Sequence, residues 1–353
     1  MTAWQDLDTP SVTVDLAKLQ ANVERGQSLA AAHGLNNRPH VKTHKIPAIG
    51  KMQMAAGAVG LTCQKLGEVE AFVRAGVCDD ILLSFNIVGF QKTERLMDLS
   101  SRVRRLAVVA DNEAVIDGLG AAAARHGRDL PLIIECDTGF GRNGAQSPQR
   151  VRELARHVAR HPHLEFTGLM TFPNMMPTTN EFIERSLHLL DMDGISVPIV
   201  SGGGTPALLS LGQFPTMTEH RAGTYVFNDV MMIAAGFATA DQCAMHVRTT
   251  VVSTPTPDRA IVDCGSKVLT HERYYVENFG TVVEYPDAKV VSLSEEHGVI
   301  DLERSVRKPR VGEVVSIIPN HCCVVSNMVD EIFGIRDGKV EIEWRVAARG
   351  ATK

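Results

Sequence analysis

Short apolar runs alternate with amphipathic segments along the first two-thirds of the chain. The runs fall at residues 39–43, 59–64, 80–84, 106–110, 132–137, 166–171, 197–201 and 219–226. They are rich in Val, Ile and Leu, the pattern of strands buried on both faces. Helical periodicity fills several gaps, at residues 48–56, 67–75, 112–125, 148–160 and 180–190. Alternating strand and helix imply a parallel sheet, and roughly eight units in about 190 residues suit a closed (β/α)8 barrel of the TIM type. An open doubly wound sheet is the competing architecture.

The pattern changes near Asp241. Beyond it the segments VRTTVVST, RAIVDCG, AKVVSLS, EVVSIIP and KVEIEWRV alternate with Pro, Gly and Asp turns, which predicts a mostly antiparallel β domain. SVTVDL at residues 11–16 is strand-like and is expected to join it. The division is therefore a barrel over 15–240 and a β domain over 241–353 with 1–14.

Composition narrows the function. With 353 residues, 44% hydrophobic and 22% charged, the chain can build a full core. A net charge of −5, no basic block and 5% aromatic residues argue against nucleic acid as a partner. The apolar runs are too short or interrupted to span a bilayer. The opening MTAWQDLDTP lacks the basic and apolar regions of a secretory signal. Seven scattered cysteines read as reduced thiols, so a cytoplasmic protein is expected.

Four segments carry candidate chemistry. RPHVKTHK at 38–45 ends the first expected barrel strand, where barrel enzymes place their chemistry. A lysine there forms a Schiff base with an aldehyde cofactor if burial or neighbouring cations lower its pKa. Strand alternation puts Lys42 on one face with His40 and His44; a solvated basic turn fits the segment equally well. Ser201, Gly202, Gly203, Gly204 and Thr205 end the seventh expected strand, where barrels often bind phosphate through backbone N–H groups. Asp137 and Arg142 lie on a glycine-rich loop at the same barrel end, either addressing a cofactor ring or forming a structural pair. In PNHCC, His321 and Cys323 share a side if the segment is extended, and imidazole with thiolate suits Zn²⁺. Two buried cysteines beside a structural histidine is the plainer reading. Gln64, Lys65, Glu68, Glu219, His220, Arg221, Tyr225, Asp263, Lys267, Glu295, Glu296 and His297 are weaker candidates.

Together RPHVKTHK, CQKLGEVEA, DTGFGRNG, SGGGT, EHRAGTY and PNHCC, in order along nearly the whole chain, resemble the D-threonine aldolase and D-serine dehydratase family. That family has the alanine-racemase-like, fold type III pyridoxal-phosphate architecture. The resemblance implies that Lys42 carries pyridoxal 5'-phosphate and acts as the catalytic residue, with His40 beside it. It implies phosphate contacts from Ser201, Gly202, Gly203, Thr205 and Tyr225, and ring contacts from Arg142 and Gln64. His321 and Cys323 would bind a divalent metal, zinc by its ligands and otherwise Mn²⁺ or Mg²⁺.

Two departures bear on the reaction. Aldolases of the family commonly carry His-x-Asp at the metal position and dehydratases His-x-Cys, as here. The histidine-bearing segment common after the sixth strand is replaced by TFPNMMP. The expected activity is metal-assisted retro-aldol cleavage of a small D-3-hydroxy amino acid. Dehydration of D-serine- or D-threonine-like substrates is the alternative, with racemisation or non-catalytic cofactor binding further behind. A homodimer is expected from the resemblance.

Overall fold

The computed structural model describes residues 3–353. Residues 1 and 2, placed with the β domain by the sequence pattern, lie outside the described residues. The chain forms two units. One comprises Gly26–Lys42, Pro47–Gly223 and Ala351–Lys353; the other comprises Met1–Arg25, Thr43–Ile46 and Thr224–Gly350.

The first unit holds eight parallel strands: Asn36–Asn37, Leu61–Cys63, Asp80–Leu83, Arg105–Ala110, Leu130–Cys136, Leu164–Thr171, Ile199–Gly203 and Glu219–Arg221. From Leu61–Cys63 onward neighbours in sequence are neighbours in the sheet, and the first strand pairs with the last. A bridge between His40 and Thr62, with Thr62 N–H donating to Pro39 O at 2.8 Å, joins the two ends. The sheet is therefore curled onto itself, not open and doubly wound. Strand Arg105–Ala110 shows why the apolar runs are continuous. Leu106, Val108 and Ala110 pack with the helices, while Ala107 and Val109 join Leu82, Ile133 and Met170 in a separate inner cluster.

One expected strand needs correction. Residues 39–43 are not a strand: pairing stops at the His40 bridge, and Val41–Thr43 is a 3-10 turn. Pro39 has no N–H to extend a ladder. Lys42 therefore shares no strand face with His44, which is buried with Nδ1 accepting from Ile46 N–H at 3.1 Å. Helix Phe90–Ser100 was not foreseen either. Its N-cap is Gly89, without the capping side chain that marks a helix start, whereas Asn112 and Ser147 cap their helices by side-chain bonds.

A buried ionic network ties strands of this unit together. Arg38 donates to Asp80 Oδ1 at 2.6 Å and Glu219 Oε2 at 2.7 Å, and Arg105 donates to Asp80 Oδ1 at 3.2 Å. Burial alone would lower the Arg38 pKa; Glu219 and Asp80 outweigh it and hold the guanidinium above its ordinary value. Removing one partner from such a network leaves charge buried and uncompensated. Arg38→Leu is expected to cost about 3 kcal/mol, read from the denaturant midpoint; a midpoint equal to wild type contradicts this.

The second unit holds a nine-stranded sheet. Ser11–Asp15 joins it as expected, antiparallel to Met245–Thr256 and parallel to Glu331–Arg336. Gly298–Asp301 and Glu331–Arg336 were not foreseen as strands. The latter carries Gly334, where a Cβ would lie 2.5 Å from Ile342 and 2.8 Å from Leu16. Among the described residues no helix is long and apolar enough to cross a membrane.

Candidate active site

Lys42 leaves the end of the first barrel strand on the 3-10 turn, and a chain of hydrogen bonds fixes its backbone. Gln64 Nε2 donates to Ser84 O at 2.9 Å, which aims Gln64 Oε1 at His40 Nε2, 3.1 Å away. Lys42 N–H approaches His40 Nδ1 at 3.4 Å, so Nδ1 accepts and Nε2 carries the proton. A pocket opens here, lined by His40, Lys42, Gln64, Ser84, Arg142, Met170, Phe172 and Arg221. Of the residues expected from sequence, His40, Lys42, Gln64 and Arg142 are thus brought together.

The pocket is cationic around an aromatic wall. Lys42 Nζ lies 5.8 Å and the Arg142 guanidinium 5.1 Å from the Phe172 ring centre. Arg142 is no partner of Asp137: it approaches Glu135 at 3.5 Å and donates to Asn143 Oδ1 at 2.9 Å. Asp137 instead accepts from the N–H groups of Gly139, Phe140 and Gly141 and shapes the loop. Burial raises the Glu135 carboxyl above its ordinary range, against the pull of Arg142 and Arg221.

Arg221, Phe172 and Asn174 are the residues that sequence reasoning undervalued. Arg221 is buried, donating to Ser201 Oγ at 2.8 Å and Thr171 O at 2.7 Å. Burial lowers its pKa to about 10, which still leaves it charged near neutrality. Its signal was the Arg of EHRAGTY. Asn174, in TFPNMMP, is buried and clasps the glycine loop: its Oδ1 accepts from Gly203 N–H at 3.1 Å and its N–H donates to Gly203 O at 3.2 Å.

Ser201, Gly202 and Gly203 close the strand Ile199–Gly203, with Thr205 just beyond. The Ser201 hydroxyl donates to Glu219 Oε1 at 2.9 Å and receives Arg221, so it serves the barrel network. Gly203 borders the pocket wall: a Cβ there would lie 3.1 Å from Phe172 and 3.3 Å from Arg221 Nη2. The three cations that line the pocket, Lys42, Arg142 and Arg221, fit an anionic aldehyde cofactor held on Lys42. Tyr225 is buried in the turn Thr224–Val226 of the other unit.

His220 positions the glycine loop from below. Its Nε2 donates to Gly204 O at 2.9 Å, and burial pushes its pKa down to about 4, with Arg221 acting in the same sense. The folded pKa lies below the unfolded value near 6.5, so the unfolded chain takes the extra proton and stability falls as pH drops. About 2 kcal/mol is expected to be lost from this group between pH 7 and pH 5. Denaturant midpoints should show a shallower loss in His220→Gln; an identical pH dependence contradicts it.

In the second unit, strand Val314–Ile318 ends at Pro319, and His321 caps a short helix, Cys322–Met328. The expected extended geometry of His321 and Cys323 is therefore corrected: one precedes the helix and the other lies in its first turn. Asp229 makes this possible. Its Oδ1 caps helix Val230–Ala234 through Met232 N–H at 2.9 Å, and its Oδ2 accepts from Cys322 N–H at 3.1 Å. The same Oδ2 lies 3.4 Å from His321 Nδ1, a buried nitrogen with no well-aligned hydrogen bond among the described residues. Cys323 Sγ lies 3.2 Å from Thr43 Oγ1. Hydrogen bonding from Cys322 and the neighbouring His321 hold the Cys323 thiol well below its ordinary pKa, while burial keeps Cys322 protonated. The His321 imidazole is raised to about 11 despite burial, by Cys323 and Asp229. A thiolate and an imidazole backed by a carboxylate fit a thiophilic divalent metal.

Asp263 and Lys267 have structural partners. Asp263 accepts from Thr9, Thr249 and Thr250, and Lys267 pairs with Glu295 and Glu296.

Comparison with known proteins follows this division. Residues 14–230 match the alanine racemase N-terminal domain, and residues 244–335 a serine dehydratase domain. The chain is 33% identical to a D-threonine aldolase of Arthrobacter sp over 362 residues, covering 98% of this chain and 94% of that one. It superposes on the crystal structure of D-threonine aldolase from Filomicrobium marinum with a TM-score of 0.91, at 29% identity and covering 99% and 98% of the two chains. D-threo-3-hydroxyaspartate dehydratase from Delftia sp. HT23 superposes at 0.88, with 26% identity and coverage of 98% and 99%.

Proposed function

Because this chain belongs to the alanine racemase N-terminal domain family, together with D-threonine aldolase and its lyase relatives, we propose that it is a pyridoxal-phosphate lyase that cleaves D-3-hydroxy amino acids by retro-aldol reaction. The observation that carries this reading is the cationic pocket lined by Lys42, Arg142 and Arg221, in which Lys42 and Arg142 lie beside the Phe172 ring. Lys42 Nζ would hold the cofactor aldehyde, with Arg142 and Gln64 addressing the ring and the glycine loop with Thr205 receiving the phosphate. Ser201 acts at one remove, through Arg221.

His321 and Cys323 hold a divalent metal, and zinc is favoured because a thiolate is a soft ligand. Asp229 Oδ2 lies against His321 Nδ1, so Nε2 would be the nitrogen offered to an ion. When bound, the cofactor supplies an electron sink at Cα and the metal acidifies the substrate hydroxyl. A small D-amino acid is the substrate, and a homodimer in the cytoplasm is the working form. The seven unpaired cysteines support a reducing compartment.

Cys323 favours a second reading, dehydration, in which Lys42 would take the Cα proton and His321 and Cys323 would hold the ion that serves as Lewis acid for the leaving hydroxide. Product analysis separates the two. With D-threonine, glycine and acetaldehyde support the aldolase; 2-oxobutanoate and ammonia support the dehydratase. Substrate returned racemised overturns both.

A further inference from the structure

Away from this chemistry, the described residues hold one group of three potential metal ligands within reach of a single ion: Asp117, His157 and His161. We propose that these side chains form a separate site for a divalent transition ion of the zinc class. Asp117 stands on helix Glu113–His126, His157 on helix Pro148–Val158, and His161 three residues past that helix. Both imidazoles present Nε2 to the same oxygen, Asp117 Oδ1, at 2.6 Å and 3.0 Å. All three ligand atoms lie within 4.8 Å of one another. Zinc bonds of about 2.0–2.1 Å place neighbouring ligand atoms roughly 3.3 Å apart in a tetrahedron, so small side-chain movements admit the ion.

The surroundings are built for these rings. Gly120, one turn on from Asp117, makes the space: a Cβ there would lie 2.3 Å from His161 Nδ1. The two rings are 5.5 Å apart and inclined at 66°, so they address one point without stacking. Their side chains are only 19% and 24% exposed, whereas Asp117 is 56% exposed and leaves room for water on the ion. Two imidazoles and one carboxylate select Zn²⁺, Ni²⁺ or Cu²⁺ over Mg²⁺ and Ca²⁺. The ion ties two neighbouring barrel helices together and stabilises the folded chain by mass action.

The test is zinc titration of the full-length protein, loaded with pyridoxal phosphate, in competition with a chromophoric chelator. Wild type is compared with His157→Gln and Asp117→Asn, the latter an isosteric change at an exposed position. Wild type is expected to take up one zinc equivalent that both variants bind at least about tenfold more weakly, with lyase turnover unchanged. Co²⁺ in that site is expected to show no thiolate charge-transfer band, which separates it from an ion on Cys323. Equal zinc uptake and affinity in wild type and both variants overturns the proposal. So does a thiolate band accounting for all the bound Co²⁺.

Discussion

Lys42→Ala is expected to yield a folded protein that stays colourless with pyridoxal phosphate and loses at least about a thousandfold in turnover. The effect is large because one amine both anchors the cofactor and handles protons beside it. The pocket offers no substitute amine among its lining residues: its other cations are Arg142 and Arg221. The second lysine of HVKTHK gives the control. Lys45 is buried, with Nζ donating to Ala348 O at 3.3 Å, and belongs to the other unit. Lys45→Met is expected to keep the visible absorbance of the bound cofactor even if it loses stability. Colour retained by Lys42→Ala, or lost only in Lys45→Met, would reverse the assignment.

Cys323→Ser and His321→Ala are expected to keep that absorbance while activity falls by about a hundredfold or more, because each removes a metal ligand. A strong chelator should reproduce the loss in wild type, and added Zn²⁺ should restore it. Asp229→Asn acts more mildly on the metal, since its carboxylate touches His321 only through Nδ1, but it also leaves a single acceptor oxygen where Met232 N–H and Cys322 N–H each had one. It should therefore lower both metal affinity and stability, whereas Cys323→Ser lowers metal affinity alone. Full activity in metal-free His321→Ala would take the metal out of the reaction.

Much of the barrel was legible because its strands are buried on both faces and so spell continuous apolar runs, as LAVVA and LIIE do. Most of the errors share a cause: contacts from far along the chain. Residues 39–43 look strand-like, yet pairing stops at the His40 bridge and Val41–Thr43 turns away. CCVVSNM has the β-branched look of an extended segment, yet it is helical, its Cys322 N–H held by Asp229 from 93 residues away. Arg221 was hard to weigh because its partners, Ser201 and Thr171, lie 20 and 50 residues distant. Asn174 lies in the segment that lacks the family's histidine, and only the fold reveals its clasp on Gly203. The lysine, the glycine run and the His-x-Cys pair were visible because each is a local cluster of chemistry-bearing residues. The network that positions them is not local and left no such mark.

The most direct measurement is borohydride reduction of the pyridoxal-phosphate-loaded protein, which fixes an imine permanently, followed by proteolysis and peptide mass mapping. The added cofactor mass should fall on Lys42 and on no other lysine. Its appearance on Lys45 or elsewhere, or on no peptide at all, would contradict the assignment of this pocket as the catalytic centre.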